Sequence, residues 1–194
     1  EVTGYIGPLG WYEIKVPDAR KALPQIQKNP IVVNAELNYA GRTEVLDIEN
    51  LDENFSWGHR KIKLPEAYQY IEGQALEEVA VAVIDTGFDL EHPELDSRFL
   101  PGVDLGSVDD NPTYEDIPEA LEARAHGTLV AGIIAAENND SDLNGVAYNS
   151  KILPIKVFNS SWPGLVGKAL LPDAYFSFKV AAGIVYAARS EADV

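Results

Sequence analysis

The stretch that decides the fold is EVAVAVIDTG, residues 78–87. Its first seven residues, Glu78–Ile84, are rich in valine and isoleucine, which is typical of a strand buried on both faces of a parallel sheet. The strand is predicted to end at Asp85, where open α/β sheets place their ligand-binding residues. From this position alone, Asp85 is equally well interpreted as a functional carboxylate or as the N-cap of a following helix.

Further strand and helix signals alternate on both sides of this stretch from Phe55 onward, and this pattern predicts an α/β fold with a parallel sheet and helices on both faces. An acidic loop is expected between Phe99 and Ala125. The other predicted elements are a helix over Leu129–Ala136, a strand over Ile152–Val157, a helix over Phe178–Arg189 and the entrance to a further strand at Ala192–Val194.

The second chemically informative stretch is AHGTLVAG, residues 125–132. Its glycines and other small residues would allow a helix to pack closely on the sheet. A histidine such as His126 at a helix start is, taken alone, more often structural than catalytic. Asp85 and His126 together are more informative, because a helix that begins at His126 would return across the sheet towards the strand that ends at Asp85. We therefore expect both side chains at one edge of the sheet.

The first 40 residues are predicted to form a small α+β unit of their own. Asp18 is a plausible N-cap, and Pro30 disfavours helix at the residue before it, so the helix should end there. The polar segment 41–54 is interpreted as a linker with a possible short strand. The predicted elements of the unit are a strand over Trp11–Val16, a helix over Ala19–Lys28 and a strand over Ile31–Leu37.

Composition excludes several classes of function. The chain of 194 residues carries 15 Lys and Arg against 31 Asp and Glu, for a formal net charge of −16. Such a surface repels phosphate backbones and anionic lipids, so neither nucleic acid nor a membrane is an expected partner, whereas a hard cation is compatible with it. The absence of cysteine excludes disulfides, thiolate zinc sites and cysteine nucleophiles.

The two motifs together resemble a known family. VAVIDTGFD (81–89) followed by EHPEL (91–95) resembles the aspartate segment of subtilisin-like serine proteases, and HGTLVAG (126–132) is similar to their histidine segment. NGVA (144–147), KILPIKV (151–157) and AAGIVYAA (181–188) agree with the family in the same order. Upstream, Trp57-Gly58 is similar to the start of the mature enzyme.

This resemblance implies a partial subtilisin-like catalytic domain over residues 55–194 that acts on polypeptide substrates. It implies that Asp85 is the orienting carboxylate and His126 the general base and acid of an Asp-His-Ser triad. No serine stands in the Gly-Thr-Ser context of the family's nucleophile, so the serine is expected beyond Val194. The missing carboxyl-terminal half of the domain is then an expected partner, and this chain alone is expected to be inactive. The protein is expected to be secreted or extracellular.

Residues 1–40 resemble the carboxyl-terminal part of a subtilase propeptide, through the Tyr12–Pro17 strand and the Asn29–Tyr39 segment. In the family such a unit assists folding, and its last segment occupies the substrate cleft as an inhibitor. The alternative is an amino-terminal extension that only covers a sheet edge.

The resemblance also implies a structural calcium site, because oxygen ligands suit that ion. The alternative for the loop that would supply most of these ligands is a solvated acidic loop. The implied ligands are the side chains of Glu53, Glu94 and Asn139 and the carbonyls of Glu137, Ser141 and Leu143.

Two other functions remain open at this stage. Asp85-Thr86-Gly87 is also the signature of aspartic proteases, but it occurs once, so a dimer would be needed, and His126 would have no role. The chain is also compatible with a subtilase-derived binding or chaperone module that has lost its nucleophile.

Overall fold

The computed structural model describes residues 1–38, 40–42, 57–114, 121–138, 144–158 and 174–194. None of the helices in these ranges is long and apolar enough to cross a membrane. The elements in chain order are β1 (Val2–Ile6), a 3₁₀ turn (Gly7–Leu9), β2 (Trp11–Ile14), α1 (Ala19–Ile26), β3 (Ala40–Arg42), α2 (Trp57–Lys61), α3 (Leu64–Ile71), β4 (Ala80–Asp85), β5 (Val103–Asp104), α4 (Leu121–Ala135), β6 (Lys151–Lys156), β7 (Ala174–Phe176) and α5 (Ser177–Ala187).

The central sheet has three strands in the order β4-β6-β5, and both pairings are parallel. The predicted buried strand becomes β4, which pairs with β6 from Ala80 against Lys151 to Asp85 against Lys156. The last residues of the three strands, Asp85, Lys156 and Asp104, are therefore in register at the carboxyl edge of the sheet.

A hydrophobic core lies on each face of this sheet, because alternate residues of a strand point to opposite faces. Helix α4 packs on one face and α5 on the other, so the predicted α/β fold with helices on both faces is confirmed. The buried residues on the α4 face are Val83, Phe88, Leu95, Ala131, Ala135 and Ile152, and those on the α5 face are Leu153, Ile155, Val157 and Phe158.

The helix that carries His126 begins earlier than the sequence predicts. We expected it to begin near Leu129 with His126 at its start, but α4 begins at Leu121, so His126 lies within the helix. The predicted acidic loop is correspondingly shorter, and it contains the short strand β5.

The amino-terminal unit contains one predicted strand and the predicted helix. β2 is confirmed, and it forms an antiparallel hairpin with β1, which the sequence did not reveal. Helix α1 begins after Asp18, whose carboxylate Oδ1 accepts a hydrogen bond from the Lys21 backbone N–H at 3.1 Å. The expected N-cap is therefore confirmed.

The predicted strand over Ile31–Leu37 is wrong, because these residues have no strand partner and form turn and coil. Ile31 is 85% exposed and Val33 fully exposed, so these two β-branched side chains are not packed in a core. β-propensity without a pairing strand and a buried face does not make a strand.

Among the described residues, strand β3 and the side chain of Asn38 connect the amino-terminal unit to the rest of the molecule. β3 pairs antiparallel with β7, from Ala40 against Phe176 to Arg42 against Ala174. β3 crosses the expected boundary between the unit and the linker, and residues 43–54 of that linker lie outside the described residues.

The second contact is made by the side chain of Asn38 at the start of α5. Its Oδ1 accepts hydrogen bonds from the Ser177 hydroxyl at 2.7 Å and from the Phe178 backbone N–H at 3.1 Å. Its amide nitrogen donates to Glu13 Oε1 at 2.7 Å. One amide thus joins β2 to a helix N-terminus.

The carboxyl end of the described chain begins to extend the central sheet. Asp193 N donates to Ala80 O, and Ala82 N donates to Val194 O, each at 2.8 Å. These bonds lie on the edge of β4 opposite β6, where the sequence predicts the entrance to a further strand.

Candidate active site

The candidate site is formed where β4 ends and α4 crosses it. His126 Nδ1 lies 2.8 Å from Asp85 Oδ1 and 2.9 Å from Asp85 Oδ2. The Asp85 side chain is 10% exposed, and that of His126 is 24% exposed. The structure thus brings the two residues that the sequence singled out into direct contact, with the imidazole on the more exposed side.

Asp85 is held by its own chain neighbour as well. Its Oδ1 accepts a hydrogen bond from the Thr86 backbone N–H at 2.6 Å and from the Thr86 hydroxyl at 3.0 Å. These donors fix the carboxylate beside the ring before any ligand binds. Thr86 was not predicted as a site residue, and its only signal in the sequence is that a hydroxyl residue directly follows the aspartate.

Close packing of α4 on β4 sets the distance between the two side chains. A Cβ on Gly127 would lie 2.4 Å from the backbone oxygen of Gly87 and 3.1 Å from Asp85 Cβ. Only a glycine therefore lets the helix approach the strand this closely. At the next residue, the Thr128 hydroxyl accepts a hydrogen bond from the Asp89 backbone N–H at 2.9 Å, which ties α4 to the loop after β4.

The tautomer of His126 follows from these contacts. Carboxylate oxygens accept hydrogen bonds, so the ring nitrogen that faces Asp85, Nδ1, carries the proton in the neutral ring. Nε2 is then the nitrogen with a free lone pair. The arrangement can accept a proton at Nε2 and can stabilise the imidazolium that results.

Two of the six predicted calcium ligands lie in the described part of the chain. The Glu137 backbone N–H donates to Glu94 O at 3.3 Å, so these two residues are neighbours. The Glu137 carboxylate contacts the Ser97 hydroxyl at 2.6 Å and Arg98 Nη2 at 3.6 Å. These contacts use the side chain of Glu137, whereas the predicted calcium ligand is its backbone carbonyl.

The other four predicted ligands, Glu53, Asn139, Ser141 and Leu143, lie outside the described residues. Within the described ranges no group of three or more His, Cys, Asp or Glu residues is arranged to hold a metal ion. The calcium site stays a prediction.

Residues 77–168, which include both Asp85 and His126, match the model of the subtilase family. This segment of the chain belongs to the subtilase family. The resemblance inferred from the two motifs is thereby confirmed.

Individual subtilases are similar to most of the chain. The thermophilic serine proteinase of Bacillus sp. (strain AK1) is 31% identical over 182 residues, which are 93% of this chain and 40% of that protein. The major intracellular serine protease of Bacillus subtilis (strain 168) is 34% identical over 61% of this chain and 34% of that protein. This chain thus spans less than half the length of either subtilase.

Among solved structures, fervidolysin from Fervidobacterium pennivorans, described as a keratinolytic enzyme related to subtilisin, is 34% identical over 59% of this chain and 16% of that chain, with a TM-score of 0.44.

Proposed function

We propose that this chain is part of a subtilisin-like serine endopeptidase zymogen, which hydrolyses peptide bonds with a serine supplied by a segment beyond Val194. The observation that carries the proposal is the contact of His126 Nδ1 with both carboxylate oxygens of Asp85, at 2.8 Å and 2.9 Å. This contact is made within a segment that matches the subtilase family.

In this mechanism each residue has a definite role. Nε2 of His126 takes the proton of the serine hydroxyl as the oxygen attacks the scissile carbonyl, and then returns it to the leaving amine. Asp85 keeps the ring in the Nδ1-protonated form and stabilises the imidazolium in the transition state. The two donors from Thr86 hold the carboxylate in place, so its orientation does not have to be established during the reaction.

The amino-terminal unit is proposed to inhibit the enzyme until it is removed. Antiparallel pairing of β3 with β7 supports this role, because a chain that adds a strand to a sheet edge occupies backbone groups that a substrate would otherwise use. The contacts of Asn38 at the start of α5 add a second attachment. The alternative of a plain sheet-edge cover predicts that the full protein is active with the unit in place.

A calcium ion is proposed to bind beside Glu94 and Glu137, where the family resemblance implies it. The adjacency of these two residues supports the proposal. The ion would hold the loop that follows α4 and would take no part in the chemistry. Secretion is likewise proposed from the family resemblance, although the relatives include a protein named as intracellular.

The proposal is tested on the full-length protein, expressed with and without residues 1–40. We expect a fluorophosphonate probe to label a serine beyond Val194, and we expect His126→Ala to lower kcat by several orders of magnitude, since triad members act as a unit. Labelling of this chain alone would overturn the assignment of the nucleophile. A full-length protein that binds peptides but is neither labelled nor active would favour the inactive binding or chaperone module.

A loss of less than about tenfold on His126→Ala would refute the role of His126. The matched control is His92→Ala, because His92 lies in a turn and its Nδ1 accepts a hydrogen bond from the Glu94 backbone at 3.3 Å. That variant should keep its turnover.

A further inference from the structure

The segment that follows Asp85 lies between two other backbone segments. One of them is α4, where a Cβ on Gly127 would lie 2.4 Å from the Gly87 backbone oxygen. The other is at Tyr114, because a Cβ on Gly87 would lie 2.7 Å from Tyr114 Cα and 3.0 Å from its backbone nitrogen. The position of Gly87, two residues after Asp85, is therefore set by both neighbours.

Tyr114 belongs to residues 105–114, which we call the β5 loop because they follow strand β5. Two backbone hydrogen bonds join this loop to Phe88. Phe88 N donates to Pro112 O at 3.0 Å, and Tyr114 N donates to Phe88 O at 3.2 Å. The Phe88 side chain is buried in the core on the α4 face of the sheet. The β5 loop thus holds the segment after Asp85 by its backbone.

The start of the β5 loop is firmly attached to the sheet. Asp104 Oδ2 lies 2.9 Å from Lys156 Nζ, and both side chains are buried. Asp104 Oδ1 accepts a hydrogen bond from the Ser107 backbone N–H at 3.0 Å, and the backbones of Asp104 and Asp109 exchange two hydrogen bonds, at 2.8 Å and 2.9 Å. The Asp109 carboxylate accepts a further one from the Asn111 N–H at 2.9 Å. These bonds fix the loop as far as Asn111.

The last turn of the loop is formed by the side chain of Asn111. Its Oδ1 accepts hydrogen bonds from the Thr113 backbone N–H at 3.2 Å and from the Thr113 hydroxyl at 2.6 Å. This is an Asx turn, in which an asparagine oxygen replaces a backbone acceptor. Proline fixes its own φ, so only rotation about ψ of Pro112 is left to orient the next peptide group.

That peptide group links the Asn111 side chain to Phe88. A peptide group is planar, so the Pro112 carbonyl and the Thr113 N–H turn together. The carbonyl oxygen accepts from Phe88 N, and the N–H donates to Asn111 Oδ1. By binding the N–H, Asn111 therefore orients the carbonyl that holds Phe88.

We propose that Asn111 is a positioning residue of the Asp85–His126 pair. It acts by orienting the peptide group between Pro112 and Thr113, which keeps the segment after Asp85 in place beside α4. The expected effect on turnover rests on the proposed function, whereas the expected effect on the Asp85–His126 contact does not.

The consequence of losing the Asn111 oxygen follows from these contacts. The peptide group can then rotate, which weakens the hydrogen bond that Phe88 N donates to Pro112 O. Gly87 gains freedom to move relative to α4, and Asp85 moves with it, because only Thr86 separates the two residues. The contact of the Asp85 carboxylate with the imidazole of α4 becomes less well defined.

The test compares two substitutions of Asn111 in the active form of the full-length protein. We expect Asn111→Ala to lower kcat by about tenfold with little change in KM, because a small misplacement of reacting groups acts on turnover. We expect Asn111→Asp to stay within about twofold of wild type, because a carboxylate oxygen accepts the same hydrogen bonds. Asn111 is exposed, so removal of its side chain leaves no buried cavity.

A spectroscopic readout is independent of turnover. A proton shared between His126 Nδ1 and Asp85 resonates far downfield in proton NMR, and His126→Ala identifies the resonance. It should move upfield or broaden in Asn111→Ala and return in Asn111→Asp. The matched control is Asn29→Ala, because Asn29 also precedes a proline and its Oδ1 accepts a hydrogen bond from the Ile31 N–H at 3.1 Å. That variant should leave the resonance unchanged.

Three results would overturn the inference. A wild-type resonance in Asn111→Ala would show that Asn111 does not position the pair, and a lower Tm with that resonance would show that it only stabilises the β5 loop. An equal defect in Asn111→Asp would show that the hydrogen-bond acceptor is not what matters. An effect of equal size in Asn29→Ala would show that the resonance reports general stability. A wild-type protein that shows the resonance but has no activity would count against the proposed function alone, and the resonance would still decide this inference.

Discussion

Replacement of Gly127 by alanine is the sharpest test of how α4 positions His126. The added Cβ would lie 2.4 Å from the Gly87 carbonyl oxygen. An ordinary carbon–oxygen contact is about 3.3 Å, so the helix and strand must separate by about 0.9 Å. The backbone oxygen cannot rotate away as the end of a long side chain would. We therefore expect α4 to move as a unit and to carry His126 with it.

That displacement sets the size of two effects. The contact of His126 Nδ1 with Asp85 Oδ1, now 2.8 Å, would lengthen beyond the hydrogen-bonding range of about 2.7–3.2 Å. Overpacking of this kind costs about 1–3 kcal/mol, which lowers Tm by about 2–12 °C in a chain of this size. If the proposed function holds, a misplacement of about 1 Å is expected to lower the turnover of the full-length protein by about 10²-fold.

The assay combines a thermal melt with the downfield proton resonance of His126. Gly58→Ala is the matched control, because a Cβ there meets nothing within 4 Å and the residue lies in helix α2. That variant should melt at the same temperature or higher, since alanine is the better helix former by about 1 kcal/mol. A Gly127→Ala chain with wild-type Tm and an unchanged resonance would refute the close approach of α4 to β4.

Three further predictions concern the parts around the site. Burial raises the pKa of Tyr68, and the nearby Tyr148 raises it further. The Tyr68 hydroxyl also donates a hydrogen bond to the Gly145 carbonyl. The folded state therefore holds the phenol proton more tightly than the unfolded state does. The contribution of Tyr68 to the free energy of unfolding is fully present below about pH 10 and is lost as the pH rises above that value. Urea unfolding should therefore show that the wild type loses more stability than Tyr68→Phe between about pH 9 and 11. Parallel losses would contradict this. Asn38→Ala removes a cap worth about 1 kcal/mol, so limited proteolysis should release the amino-terminal unit about fivefold faster, and an unchanged rate would argue against that attachment. Chelator should lower Tm if calcium binds, and Glu94→Ala should abolish the difference; a chelator without effect would remove the site.

Much of the candidate site was predictable because its residues follow local patterns. Asp85 ends a β-branched run, and parallel strands bring their carboxyl ends to one edge. His126 belongs to a segment of small residues that suits close helix packing. Neither inference required knowledge of which strands are neighbours.

The unpredicted features depend on partners far away in the chain. β2 pairs with β1, whereas the predicted strand over Ile31–Leu37 has no strand partner and forms turn and coil. Strand formation requires a second strand, and no local pattern identifies it. The early start of α4 was missed for a related reason, since its first turns lack the apolar periodicity that signals a helix.

By itself, the sequence determined the α/β class, the strand that ends at Asp85 and the capped helix after Asp18, because each depends on neighbours along the chain. The pairing of Asp85 with His126, 41 positions apart, was predicted from the two motifs together, because the sheet brings both to one edge. Only the tertiary structure decided that Lys156 lies between Asp85 and Asp104, and that Asn38 reaches the start of α5. These contacts join residues separated by many positions in the sequence. Their energies come from sheet register and from burial of charge, which exist only once the strands have paired.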